Sequence, residues 1–276
     1  MTTTRKIIHS NICAAAINML VAYAVFMLTR VAFFAVNWST YAPYMSCPLA
    51  ANMLKGALVF DTSALLYINA LYLALTLLPL HLKKFPKFQN VLKWIFVVTN
   101  AAGAASNLID SVYFQYTGRR STITVFSEFT NESNIGSIFL TEFVNHWYLV
   151  LVFAVLVIML WKCFVTARVE VFDRGWKYYT TQLVSLAVVA PMAVIGIRGS
   201  ATAGTRPITI SNANEYVNRP VESVLVLNTP FSIIRSIGKK VYVTPHYMTL
   251  DQMAKTYQPI ITPKPDSLSL GKKNVV

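Results

Sequence analysis

Five stretches of this chain are each long and apolar enough to cross a lipid bilayer, and no other feature constrains its fold as strongly. They run roughly from Ile12 to Val36, Ala57 to Leu80, Val91 to Tyr113, Trp147 to Val165 and Tyr179 to Ile197. A span needs about 20 mostly apolar residues, because the hydrocarbon layer is about 30 Å thick and an α-helix rises about 1.5 Å per residue. Hydrocarbon offers no partner to a backbone N–H or C=O, so such stretches fold as helices. The fifth is the most interrupted, by Pro191 and Gly196. Trp38, Tyr41, Trp94, Trp147, Tyr148, Trp161, Tyr178 and Tyr179 stand near the ends, where amphipathic rings favour the headgroup level. Only 13% of the residues are charged, against about 25% in soluble domains.

Orientation follows from Lys and Arg in the short loops. Arg5 and Lys6 precede the first span, Lys83, Lys84, Lys87 and Lys93 lie around the second loop, and Lys162, Arg168, Arg174 and Lys177 around the fourth. The intervening loops hold Lys55, then Arg119 and Arg120 offset by Glu128, Glu132 and Glu142. The amino terminus is therefore expected in the cytoplasm and the residues after Arg198 outside. The net charge of +13 then serves helix orientation and contact with anionic lipid, not nucleic acid. No signal-peptide cleavage pattern follows Arg5 and Lys6, so the first span is read as an uncleaved helix.

Several polar residues fall where hydrocarbon is expected: Arg30, Asp61, Asn69, Asn100, Asn107 and Asp110. A charge at mid-bilayer costs about 2.5–3.5 kcal/mol on insertion scales, so it faces the bundle or pairs. The topology places Arg30, Asp61 and Asp110 in one leaflet, which predicts a cluster of Arg30 with Asp61 or Asp110. Such a cluster is either a lipid headgroup pocket or a structural ion pair that fixes helix packing. Arg119 and Arg120, after Thr117-Gly118, add forked donors suited to phosphate. The loop from Tyr116 to His146 mixes Phe126, Phe129, Ile135, Ile138, Phe139 and Phe143 with polar residues, which suits either helices along the outer membrane surface or a loop packed on the bundle. The small residues Ala101 to Ser106 permit close helix approach.

Composition changes at Arg198. Pro220 with Glu222 suits a helix start, and so does Thr229-Pro230, with Thr229 as cap and Gly238 as terminator. That second helix, ending in Lys239 and Lys240, is expected to rest on the bilayer surface. Thr249 and Gln252 form a capping-box pattern, and Pro259, Pro263 and Pro265 a stiff linker. The closing Lys272-Lys273-Asn274-Val275-Val276 reads as the opening of a buried strand. The expected organisation is all-α membrane: a five-helix transmembrane domain over 1–198, an extracytoplasmic helical linker over 199–265, and over 266–276 the first residues of a truncated α/β domain.

Catalytic motifs are missing from the sequence: no nucleophile elbow, phosphate loop, dinucleotide fingerprint or His-Glu-x-x-His is present. The scattered His9, His81, His146 and His246, and the isolated Cys13, Cys47 and Cys163, offer no metal or disulfide spacing.

Four stretches carry a resemblance: Phe60-Asp61-Thr62-Ser63-Ala64-Leu65-Leu66-Tyr67, Val125-Phe126-Ser127-Glu128-Phe129, Thr205-Arg206-Pro207-Ile208 and Asn228-Thr229-Pro230-Phe231-Ser232. With them the chain resembles the amino-terminal membrane half of lipoteichoic acid synthase-like proteins, membrane-anchored members of the sulfatase and alkaline phosphatase superfamily. The resemblance implies a bacterial inner membrane protein whose missing extracytoplasmic domain uses a Thr nucleophile and a divalent metal, typically manganese, to move a phospho-headgroup. It implies no catalytic or metal-binding position within these residues, so the chain by itself is expected to be inactive. Two other classes stay open: a small transporter or lipid flippase with Arg30, Asp61 and Asp110 along a polar path, and a non-catalytic membrane scaffold.

Overall fold

The computed structural model describes residues 7–8, 11–78, 85–130, 134–167, 176–202, 204, 206–238 and 247–257. Lys83, Lys84, Arg168, Arg174, Thr205, Lys239 and Lys240, the linker prolines and the closing Lys-Lys-Asn-Val-Val lie outside them. The chain divides into a compact unit from Met1 to Ile237 and a second from Gly238 to Val276.

The first unit is helical, apart from a two-residue parallel pairing of β1 (Ile7–Ile8) with β2 (Thr166–Ala167). In chain order the helices are α1 (Asn11–Val36), α2 (Trp38–Tyr41), α3 (Cys47–Ile68), α4 (Ala70–Leu77), α5 (Pro86–Thr117), α6 (Val125–Thr130), α7 (Ile135–Asn145), α8 (Trp147–Cys163), α9 (Trp176–Arg198), α10 (Ser223–Val226) and α11 (Thr229–Ser236). Short 3-10 turns occupy Ala42–Tyr44, Ile210–Tyr216 and Pro220–Glu222. In the second unit, α12 (Leu250–Thr256) starts on the expected capping box of Thr249 and Gln252.

Among the described residues, α1, α3 and α5 are long and apolar enough to cross a membrane, and α7 with α8 makes a fourth span if that bent pair is counted as one. The five-span expectation is thus met in part. The helix from Trp147 ends at Cys163 after 17 residues, about 26 Å at 1.5 Å per residue. In α9 the apolar part, Gln182–Arg198, is equally short. α9 does continue through Pro191, which the sequence marked as an interruption.

Local chemistry sets the ends. Ser46 caps α3 by accepting from the Leu49 N–H. Pro86 occupies the first turn of α5, and Gly118 closes it at φ +65°, a left-handed conformation that glycine adopts without a Cβ clash. Asn69 ends α3 and begins α4, and its side-chain amide returns to the Leu65 carbonyl.

Packing follows the small residues. A Cβ on Gly103 would sit 2.9 Å from the Phe26 ring, so the Ala101–Ser106 run lets α5 close on α1. A Cβ on Gly196 would sit 2.5 Å from Leu66 Cδ1, and the Ser63 hydroxyl donates to the Ile197 carbonyl at 2.9 Å, so α9 lies hard against α3. Phe26, Phe33, Phe60, Leu65 and Phe96 fill the space between the helices.

Polar contacts cross the bundle at separate levels. Near the β1–β2 end, Asn18 of α1 donates to the Tyr72 hydroxyl and the Val165 carbonyl, and accepts from the Val165 N–H. Asn69 and Asn100 exchange two amide hydrogen bonds, at 3.0 and 2.7 Å. This pair absorbs two of the polar residues predicted inside the membrane.

Interhelical polar bonds in membranes contribute about 0.6 kcal/mol on average and up to about 1.7 kcal/mol in double-mutant cycles. A thermal-unfolding cycle in detergent over N69L, N100L and the double variant is expected to give a coupling of about 1–2 kcal/mol, since each single change strands one buried amide. Additive effects would show that the two amides do not depend on each other.

Candidate functional site

The charges predicted to cluster do so, but in two separate assemblies joined by the segment that follows α9. Arg30 and Asp61 form a bidentate pair: Nη1 donates to Oδ2 at 2.6 Å and Nη2 to Oδ1 at 2.7 Å. Arg30 uses its other donors on backbone beyond the last long helix, with Nε to the Leu225 carbonyl at 2.9 Å and Nη2 to the Val226 carbonyl at 3.1 Å. Those carbonyls are free because α10 is a single turn, and terminal carbonyls of a helix have no partner inside it. Asp61 is fully buried, and its Oδ1 also accepts from Asn228 Nδ2 at 2.8 Å.

The second assembly centres on Asp110, near the end of α5. Its carboxylate accepts from the backbone N–H and hydroxyl of Ser121 and, at 2.6 Å, from the hydroxyl of Thr229. Arg120 Nη1 stands 3.8 Å from Asp110 Oδ2 and 3.4 Å from the Thr229 hydroxyl, which therefore bridges cation and anion. Arg120 Nε donates to the Val224 carbonyl at 2.9 Å, and the guanidinium lies 4.0 Å over the Phe33 ring. Burial pulls Arg120 down to about 10; the Asp110 carboxylate opposes that pull and the charge of Arg30 adds to it. At neutral pH the group stays cationic. Asn107 completes the assembly by accepting from the Thr229 N–H at 2.8 Å.

Arg119 goes elsewhere. It is exposed and pairs with Glu128 of α6 at 2.8 Å. The phosphate role read for Arg119 and Arg120 together has no common location, since Arg120 is enclosed and committed to backbone and Thr229. Gly118, in its left-handed conformation, redirects the chain just before these two residues.

Two expectations for the segment after α9 need correction. The residue that caps α11 is Asn228, whose Oδ1 accepts from the Phe231 N–H at 2.8 Å, while Thr229 is the first helical residue and turns its hydroxyl to Asp110. α11 also does not rest on the bilayer surface. Thr229, Phe231 and Ser232 are buried against α3 and α5, with the Phe231 and Phe60 rings edge to face at 4.9 Å. Burying Phe231 against Phe60 removes both rings from water at one contact.

Further contacts complete the cap. A Cβ on Gly56 would sit 2.5 Å from the Tyr216 ring, so glycine lets the 3-10 turn Ile210–Tyr216 reach α3. Glu222, as expected from Pro220, closes a helix start by accepting from the Asn218 and Arg219 N–H groups and from Arg219 Nε at 2.7 Å. Against the burial that raises it, those hydrogen bonds hold the Glu222 carboxyl below its ordinary value. Residues 206–237 thus form a lid over the middle of α3 and the later turns of α1 and α5.

Sequence reasoning named both anions, Arg30 and Arg120, but not Asn107, Ser121, Asn228 and Thr229 as their partners. The available signal was unmet demand: Asp110 had no cation within the helices, and the one Asn-Thr-Pro in the outer segment offers three polar groups close together.

Each carboxylate oxygen of Asp61 and Asp110 has a donor, so the arrangement fastens and orients. Among the described residues no group of three or more His, Cys, Asp or Glu stands ready to hold a metal ion. No protein-family model, curated protein or solved structure matches this chain.

Removing one partner of a buried pair strands the other, which costs about 3–5 kcal/mol, whereas replacing both by apolar groups costs far less. D61A is expected to lower stability by about that amount, and R30M/D61L by clearly less. Thermal unfolding in detergent checks this, and a double variant as unstable as D61A would mean that the carbonyl bonds of Arg30 outweigh its pair with Asp61.

Proposed function

We propose that this chain is the membrane anchor and linker region of a lipoteichoic acid synthase-like phospho-headgroup transferase, of phosphoglycerol or phosphoethanolamine type, or of a related sulfatase-family hydrolase. The observation that carries the reading is a convergence. Two of the sequence stretches that bear the resemblance, Phe60-Asp61 and Asn228-Thr229-Pro230-Phe231, are the ones that clasp each other, through Asp61 to Asn228 and Phe60 to Phe231. A third, Val125 to Phe129, starts two residues after Ile123, whose N–H donates to Ser236 at the end of the same lid.

On this reading five helices span a bacterial inner membrane, with the amino terminus cytoplasmic and the carboxyl terminus periplasmic, and the basic cytoplasmic loops meet anionic phospholipid. The chemistry belongs to an α/β domain outside these residues, where a divalent metal, manganese, would serve a Thr nucleophile. The contribution of this chain is proximity: a lid clamped to the spans holds the catalyst beside its lipid substrate.

Reading the coding sequence past Val276 tests the assignment. The expected result is an open frame with an acidic residue soon after the Val-Val stretch, then a Thr or Ser nucleophile and His ligands; a stop codon directly after Val276 overturns it. The orientation has its own check. Cys47 is exposed at the start of α3, so C13A/C163A protein in cells with a permeabilised outer membrane is expected to react with a membrane-impermeant maleimide. Reaction only after the inner membrane is opened would reverse the topology.

A further inference from the structure

The segment between α5 and α8 shows a different kind of surface from the clamp. Leu140, Phe143 and Val144 of α7 are 67%, 59% and 62% exposed, and at spacings of three and four they share one helix face. Thr141 and Asn145, also exposed, lie towards the other side, where Ile138 is 52% exposed as a single apolar residue. Phe126 of α6 is likewise exposed. A helix that leaves this much apolar side chain uncovered is not stable in water, so something covers it.

The geometry says what. α7 and α8 meet at an angle of 80°. The corner is fixed: the His146 N–H donates to the Glu142 carbonyl at 3.0 Å, His146 Nδ1 lies 3.2 Å from Glu142 Oε2, and the Tyr116 hydroxyl of α5 donates to Glu142 Oε1 at 2.8 Å. α8 carries its own exposed apolar stripe, Leu151, Val155 and Ile158, beginning after Trp147 and Tyr148 at the corner. If that stripe faces acyl chains, a helix at 80° to it lies in the membrane plane at the depth where the two aromatic rings sit. α6 is held at the same level, because Glu128 accepts from Tyr113 of α5 at 3.0 Å and from Arg119 at 2.8 Å.

We propose that α6 and α7 form a shelf embedded in the headgroup layer where α5 ends and α8 begins, with the lipid bilayer as occupant of their apolar face. The exposed faces of α7 and α8 adjoin along the chain at the corner, and one bilayer can cover both. The attachment is apolar. Residues 121–146 contain Glu128, Glu132 and Glu142 and no Lys or Arg, unlike surface helices drawn to anionic lipid by basic residues. The shelf therefore inserts as well into zwitterionic lipid as into anionic lipid. None of this rests on the transferase assignment, or on which side of the membrane the shelf lies.

The test uses the full chain with C13A, C47A and C163A, carrying a bimane label on L140C, F143C or T141C, in phosphatidylcholine vesicles containing lipids with a nitroxide near the carbonyl level. Labels at 140 and 143 are expected to lose fluorescence to the nitroxide lipid and to resist aqueous iodide, with the reverse at 141. The pattern is expected to persist when phosphatidylglycerol replaces part of the phosphatidylcholine. Full iodide quenching at 140 and 143 overturns the proposal. So does shielding from both quenchers with energy transfer between copies, which would make a second copy the occupant, and so does lipid quenching that requires phosphatidylglycerol. The labelled positions replace exposed side chains, as do C13A and C47A, Cys163 is half-buried, and unchanged thermal unfolding of the labelled proteins confirms that they fold.

Discussion

The fold depends on how a guanidinium can be kept among three apolar helices. Arg30 lies inside the bundle, and its pairing with Asp61 neutralises the charge but leaves donors over. In a medium of low dielectric an unused donor on a charged group costs more than the pair contributes. The helices themselves cannot supply the missing acceptors, because their carbonyls are already used along each axis. A chain end of one helical turn can, and α10 does so with the carbonyls of Leu225 and Val226. The segment after α9 is therefore a required part of the bundle, and the compact unit ends at Ile237 and not at Arg198, where the composition changes.

The same logic runs through the second assembly with the roles exchanged. Asp110 is the group with surplus capacity, and it is met by Ser121, eleven residues on, and by Thr229 from the lid. Because Thr229 donates to Asp110 while accepting from Arg120, and its N–H reaches Asn107, one residue of the lid touches three groups on or just after α5. Asn228, its neighbour, caps α11 with one side-chain atom and holds Asp61 with the other. Moving the lid by one residue would break both assemblies at once. Ion pairs of this kind add little net stability over an apolar core, but they discriminate strongly between registers, and here that discrimination sets where the lid sits.

How much of this is legible in the sequence depends on the distance over which each fact is determined. The spans are local facts, and α1 and α5 lie where hydropathy places them, whereas the stretch read as Ala57 to Leu80 is α3 from Cys47 to Ile68 and then, past Asn69, the separate α4. Arg30 with Asp61 is legible one step further out, because alternating topology puts both in one leaflet. Asn228 and Thr229 are not, since Asn-Thr-Pro is a complete helix start on local grounds, and nothing local tells a cap from a cap that also holds Asp61 and Asp110. Arg119 and Arg120 show the limit most clearly. They are adjacent and chemically identical, yet one is exposed on Glu128 and the other enclosed over Phe33. The difference comes from the direction in which the chain leaves Gly118, and composition carries no trace of that.

The clamp and the shelf together give the membrane surface two kinds of hold on this chain. The clamp is polar and internal, and it fixes the lid to the helices that bear it. The shelf is apolar and external, with acidic residues and no basic ones, and it fixes the ends of α5 and α8 to the depth of the headgroups. Neither would suffice alone: a clamped lid on a tilting bundle has no fixed height, and a shelf beside a loose lid has nothing to level. Ser236 accepts from the Ile123 N–H, between Gly118 and the start of α6, and so ties the end of the lid to the chain that leads into the shelf.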